Sequence, residues 1–199
     1  MLRSGLAFAL ACAAAPLAAA AHPVPPAALP SAAPAAEALV LNPQINYSDY
    51  RRLANEVESY RLTRLLDWHG FLAAATDPDV LILDARSERQ FAAGHIAGAV
   101  NLPLPEFSEE RLAEVIGRED RPILIYCNNN FINDRPPVIL KSGRLALNIS
   151  TFVHLVGYGY PNVRELNAVI DMDDPTIPWV TGAEEAGAAP AAAAARPSA

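Results

Sequence analysis

The residue in this chain best placed to do chemistry is Cys127. It follows Ile123-Leu124-Ile125-Tyr126, a short apolar run that reads as a buried strand, and it precedes Asn128-Asn129-Asn130, which reads as a turn. In open α/β sheets ligands bind at the carboxyl ends of strands. A thiol there is a candidate nucleophile; the plainer alternative is a buried, inert cysteine. Asp84 and Arg86 end a second apolar run, Val80–Asp84. Two positions apart, they project from one side of a strand, where they satisfy each other or cap the next helix. His95, between Gly94 and Gly98, is either a base for the thiol or a histidine held by structural hydrogen bonds, and the second reading is the stronger.

These residues need elements to position them. Val80–Asp84 and Ile123–Tyr126 are continuous apolar strands of the kind found in parallel sheets covered on both faces. A helix starts near Ser48-Asp49, with Tyr50, Leu53, Val57 and Tyr60 at helical spacing. Arg61–Arg64 reads as a short edge strand, and Asp67 as the cap of a helix through Phe71 that ends around Asp77-Pro78. Gly94 stops the helix after Arg86, and Gly98 permits a turn into a strand at Val100. Ser108 caps a helix with Glu109-Glu110 in its first turn, and Gly117–Pro122 is the turn that launches the cysteine strand. Pro136-Pro137 cannot sit in a helix and reads as extended chain. Ser150-Thr151 is the expected cap of a helix containing Phe152 to Leu155.

The net charge of −7 and the lack of any Lys/Arg cluster argue against nucleic acid as a partner. Four scattered histidines, none at ligand spacing from a cysteine, give no metal site, and no cofactor is expected. The basic, apolar, then alanine-rich start reads as a signal peptide over residues 1–21. A Pro/Ala-rich linker follows over 22–44, the folded domain over 45–181, and an Ala/Pro-rich tail over 182–199. Removal of the leader takes Arg3 with it, so the charge becomes −8, and leaves Cys127 as the single thiol. The expected destination is export, to a bacterial periplasm, without a membrane span. A lipid anchor at Cys12 is the second reading.

The block Asp84-x-Arg86 followed by Gly94-His95-Ile96-x-Gly98-Ala99-Val100-Asn101-Leu102-Pro103 resembles the first signature of the rhodanese-like family. The apolar strand into Cys127, the segment Gly159-Tyr160-Pro161-Asn162-Val163 and Trp179 are similar to its later landmarks, in the expected order. The resemblance implies an α/β fold with a central, mostly parallel five-stranded sheet and helices on both faces. It implies a sulfurtransferase in which Cys127 carries a persulfide taken from a small sulfur-containing substrate, for example thiosulfate, and passes it to a thiophilic acceptor or partner thiol. The amides of Asn128, Asn129, Asn130, Phe131 and Ile132 would cradle the sulfur and lower its pKa, with Asp84, Arg86 and His95 as scaffold. The loop lacks the family's usual glycine and cation; Lys141, Arg135 or Arg144 farther along are the candidates to attract an anionic donor. The 32 positions from Cys127 to Gly159 (159 − 127) exceed the family's spacing, with the surplus in Asn133–Arg144. Inserted loops beside a site commonly shape its pocket, so an altered specificity or a lost activity is expected. The related phosphatases need an Arg six positions after their cysteine; Asn133 stands there. An inactive binding or relay module and a redox-sensing thiol are the alternatives.

Overall fold

The computed structural model describes residues Asn42–Gly182. The expected leader, most of the linker and the tail from residue 183 lie outside the described residues. Helix α1 (Tyr47–Leu62) is capped by Asn46, whose side chain accepts from the Asp49 amide at 3.0 Å. It starts slightly before the expected Ser48-Asp49. It also runs through Arg61 and Leu62, so the short strand expected at Arg61–Arg64 arrives later, as β1 (Leu65–Leu66). A tertiary contact accompanies the longer helix: the Arg61 guanidinium reaches the buried Glu165 carboxylate at 2.5 Å.

Asp67 caps α2 (Trp68–Ala75), accepting from the Gly70 amide at 2.7 Å. Then come β2 (Leu81–Asp84), α3 (Glu88–Ala93), β3 (His95–Ile96) and β4 (Ala99–Asn101). Ser108 caps α4 (Glu109–Ile116), which leads to β5 (Ile123–Tyr126). The last elements are α5 (Leu147–Gly157), β6 (Val163–Leu166) and β7 (Trp179–Val180).

Strands β1-β6-β5-β2-β4, in that order, form one sheet in which every pairing is parallel. Strands β3 and β7 pair antiparallel beside it, with His95 opposite Val180 and Ile96 opposite Trp179. Alternate side chains of a strand point to opposite faces, and the sheet separates two cores accordingly. Leu81, Leu83, Ile123, Ile125 and Val163 pack with α1, α4 and α5 through Val57, Leu112 and Phe152. Ile82, Leu124 and Leu166 pack on the other side with Phe71 of α2, Phe131 and Ile170. With both faces covered, β2 and β5 are buried throughout. This explains their unbroken apolar runs.

The register fixes the site. Asp84 stands opposite Tyr126 on adjacent parallel strands. The chain therefore leaves β2 through Ala85-Arg86 beside the point where it leaves β5 through Cys127.

Candidate active site

The two strand ends are locked by a buried polar network. Asp84 and Arg86 have fully buried side chains, and Nη2 of Arg86 donates to Asp84 Oδ2 at 2.6 Å and to the Gly94 carbonyl at 2.8 Å. The Tyr126 hydroxyl donates to the same carboxylate at 2.6 Å and accepts from the Ile96 amide at 3.1 Å. The Arg86 guanidinium also lies over the Tyr126 and Trp179 rings, 5.5 and 5.7 Å from their centroids. The buried charge has its counter-charge, with Nη1 of Arg86 alone left without a hydrogen-bond partner, and groups so paired hold one geometry. His95 belongs to the same layer. Its ring stacks on Phe91 with centroids 3.6 Å apart, and Nδ1 lies 2.8 Å from the Phe91 carbonyl.

Cys127 is 1% exposed. Its own amide donates to Oδ1 of Asn130 at 2.8 Å, and the same oxygen accepts from Asn148 Nδ2 at 3.0 Å. Asn130 Nδ2 donates in turn to the Leu166 and Ala168 carbonyls, at 2.7 and 3.0 Å. One amide side chain thus ties the cysteine to β6 and α5. The sulfur itself is met by the backbone N–H groups of Asn148, Asn129 and Leu147. Two of these open α5, whose preceding residue, Ala146, has no side chain able to cap it. The first amides of a helix need an acceptor, and here the thiol provides it. Charge on sulfur is thereby favoured. Burial nevertheless pushes the Cys127 thiol up overall, and the nearby buried Glu165 carboxylate pushes the same way. The direction is opposite to the expected lowering of the thiol pKa.

The sulfur faces a cavity of about 360 Å³. One side of it is built by Ala85 and Arg86 after β2, Gln90 of α3, and Pro103-Leu104-Pro105 after β4. Cys127, Asn128 and Asn129, followed by Lys141, Leu145 and Leu147, complete the wall. Among the described residues, no group of three or more His, Cys, Asp or Glu is placed to hold a metal, and no helix is long and apolar enough to cross a membrane.

Comparison with known proteins matches residues 68–168, half of the chain, to the rhodanese-like domain. The chain belongs to the rhodanese-like family. It is 30% identical over 89 residues to the YqhL protein of Bacillus subtilis, covering 45% of this chain and 67% of that one. It is 38% identical over 61 residues to an HTH-type transcriptional regulator of Mycobacterium tuberculosis, covering 31% of this chain and only 26% of the regulator. A solved rhodanese with anions from E. coli is 24% identical, with 52% of this chain and 99% of that chain covered at a TM-score of 0.34.

Within this rhodanese-like frame, the loop after the cysteine departs from the expected cradle. The amides of Asn130 and Phe131 close the 3₁₀ turn Asn128–Asn130, donating to the Cys127 and Asn128 carbonyls at 3.0 and 3.2 Å. The Ile132 amide donates to the Ile170 carbonyl at 3.0 Å. Phe131 is a core residue, its ring edge-on to Tyr126 and Trp179, and Ile132 is 59% exposed away from the cavity wall. Of the five expected cradle residues, Asn129 and Asn130 turn their amides to the sulfur; the Asn130 side chain also positions, and Asn128 lines the cavity. The missing amides come from Leu147 and Asn148, twenty residues on. These two were absent from the sequence expectation, which started α5 at Ser150-Thr151.

The inserted segment is fastened down. Val138 is fully buried in the core, and its amide donates to the Arg135 carbonyl at 2.8 Å. This closes a tight turn over the cis Pro136–Pro137 peptide, where extended chain was expected. Gln90 Nε2 donates to the Pro137 carbonyl at 3.3 Å. Asn129 and Lys141 exchange two hydrogen bonds, at 2.7 and 3.1 Å, which bring Lys141 to the cavity. Arg135 is taken by Asp173 at 2.5 Å, and Arg144 does not line the cavity. Asn133 pairs with Asp171 at 2.7 Å, so no guanidinium stands where the related phosphatases place theirs.

Proposed function

We propose that this protein is a sulfurtransferase or persulfide carrier in which Cys127 takes up a sulfane sulfur and hands it on. The observation that carries this reading is the thiol at the end of β5, set in a cavity wall and aimed at by the first amides of α5. With thiosulfate as donor, the Cys127 thiolate attacks the outer sulfur. A sulfur–sulfur bond forms to Cys127, the bond to the sulfonate sulfur breaks, and sulfite leaves with the electron pair. The Asn129, Leu147 and Asn148 amides stabilise charge on the sulfur while the bond exchanges. A thiophilic acceptor then attacks the terminal sulfur, and the Cys127 thiolate departs. On the leader reading of residues 1–21, the protein acts after export, in a periplasm.

The test is intact-mass analysis of the full chain after exposure to thiosulfate and, separately, to inorganic polysulfide, followed by turnover with cyanide as acceptor. One added sulfur on the wild type and none on Cys127→Ser supports the proposal. A wild type that gains no sulfur from thiosulfate, from polysulfide or from an organic thiosulfonate overturns it.

A further inference from the structure

We propose that the cavity beside Cys127 is built for an apolar organic donor, a hydrocarbon group bearing a terminal sulfane sulfur and no more than one negative charge, in preference to thiosulfate. The inference rests on the sulfur-transfer reading above and adds the substrate class.

Size is the first reason. A cavity of about 360 Å³ is of the size that takes small organic ligands, and it is several times larger than a tetrahedral oxyanion needs. Wall chemistry is the second. Ala85, Pro103, Leu104, Pro105, Leu145 and Leu147 offer carbon, not hydrogen bonds. Leu145 is 70% exposed on that wall, an apolar side chain that a hydrocarbon group would cover. Charge is the third. Arg86 touches the cavity; its Nε and Nη2 are committed to Asp84 and to the Gly94 carbonyl, while its buried Nη1 has no hydrogen-bond partner. Among the described lining residues, that leaves Lys141 as the cation without a carboxylate partner, enough for a monoanion. A dianion would also approach a chain of net charge −7.

The wall that makes the difference is the inserted segment. Lys141 and Leu145 lie between Cys127 and α5, held by the Asn129–Lys141 pair and by the bond from Gln90 to Pro137. The insertion, through Lys141, and Leu145 just after it therefore supply the surface on which the organic group rests. For a thiosulfonate the exchange balances simply. The Cys127 thiolate attacks the terminal sulfur, the new sulfur–sulfur bond forms, and the bond to the sulfonyl sulfur breaks. The organic sulfinate leaves with the electron pair. The thiol proton ends on the persulfide.

The experiment follows loading of one sulfur onto Cys127 of the full chain by rapid-quench mass spectrometry. The donors are benzenethiosulfonate, methanethiosulfonate and thiosulfate, and each rate is divided by that donor's rate with free cysteine to remove intrinsic reactivity. The expected result is a normalised preference of at least about tenfold for the phenyl donor over both others, in line with what apolar pockets discriminate. Leu145→Asp, at an exposed position, should cut that preference to about twofold or less. Equal normalised rates, or a preference that survives Leu145→Asp unchanged, overturn the substrate class while leaving sulfur transfer standing. No loading from any of the three donors or from polysulfide overturns the sulfur-transfer reading itself.

Discussion

Replacing Asn130 by alanine tests the site where it is most heavily cross-linked. The side chain is 6% exposed and makes four hydrogen bonds: from the Cys127 amide, from Asn148 Nδ2, and to the Leu166 and Ala168 carbonyls. Asn148 keeps its second bond, to Glu165 Oε1 at 3.3 Å, and the Ala168 carbonyl is near enough to solvent for water to replace the lost donor. The Cys127 amide and the Leu166 carbonyl remain, both in fully buried bonds. Orphaning a buried polar group costs about 1–3 kcal/mol, so the two together give a loss of about 3 kcal/mol by that scale. For a domain of this size the melting temperature falls by about 3 °C for each kcal/mol, hence by about 9 °C. The assay is urea unfolding followed by circular dichroism, with sulfur loading of Cys127 measured well below the unfolding range. Loading should slow, because the thiol and the α5 amides lose their shared anchor. Asn130→Asp separates shape from chemistry: it keeps the acceptor for Cys127 and Asn148 but sets a carboxylate against two carbonyls, and it should be no more stable than the alanine variant. An alanine variant within about 0.5 kcal/mol of wild type, the range of ordinary surface changes, would refute the anchoring role. So would a destabilised variant that loads sulfur at the wild-type rate.

Asp84→Ala leaves the fully buried Arg86 without its counter-charge and should cost about 3–5 kcal/mol in chemical denaturation; a loss under about 1 kcal/mol would mean that the guanidinium finds another partner. Gly94→Ala places a Cβ 2.5 Å from Nε1 of Trp179, so the ring must move off Arg86, and tryptophan fluorescence should shift together with a drop in stability. Burial holds the Cys127 thiol and the Tyr126 phenol above their ordinary pKa values. Raised folded-state values mean that the stability both groups contribute is complete below those ordinary values and is lost as pH climbs through the folded ones. The melting temperature should therefore fall in the alkaline range, while the rate of Cys127 alkylation should rise with pH beyond the ordinary thiol value of about 8.5. Alkylation that has levelled off by neutral pH would show a thiolate already present at rest.

The sheet was legible because its central strands are buried on both faces and so carry unbroken apolar runs; Leu81–Asp84 and Ile123–Tyr126 fall almost where those runs stand. Helices with side-chain caps, at Asp67 and Ser108, were legible for the same local reason. The start of α5 was not, because its cap is a sulfur atom distant in sequence and Ala146 announces nothing. Asp84, Arg86 and His95, read as scaffold, lie in short-range contacts, Asp84 with Arg86 and His95 with Phe91, because residues so close along the chain can satisfy each other locally. Phe131 and Ile132 misled for the opposite reason. Contiguity after Cys127 suggested a single curling loop, whereas Phe131 turns into the core, where it pairs with Ile170.

A cradle drawn from two stretches of chain has a consequence for the order in which the protein matures. Amides in one contiguous loop can gather around a sulfur as soon as that loop curls. Leu147 and Asn148 reach Cys127 only once the chain between them has closed. Closing such a loop must be paid in entropy before its contacts form, and contacts distant in sequence form slowly. On the nascent chain Cys127 is thus an ordinary, solvent-facing thiol. Its shielded state waits on that closure, and the interval before it is when oxidants and stray disulfide partners find the thiol most accessible.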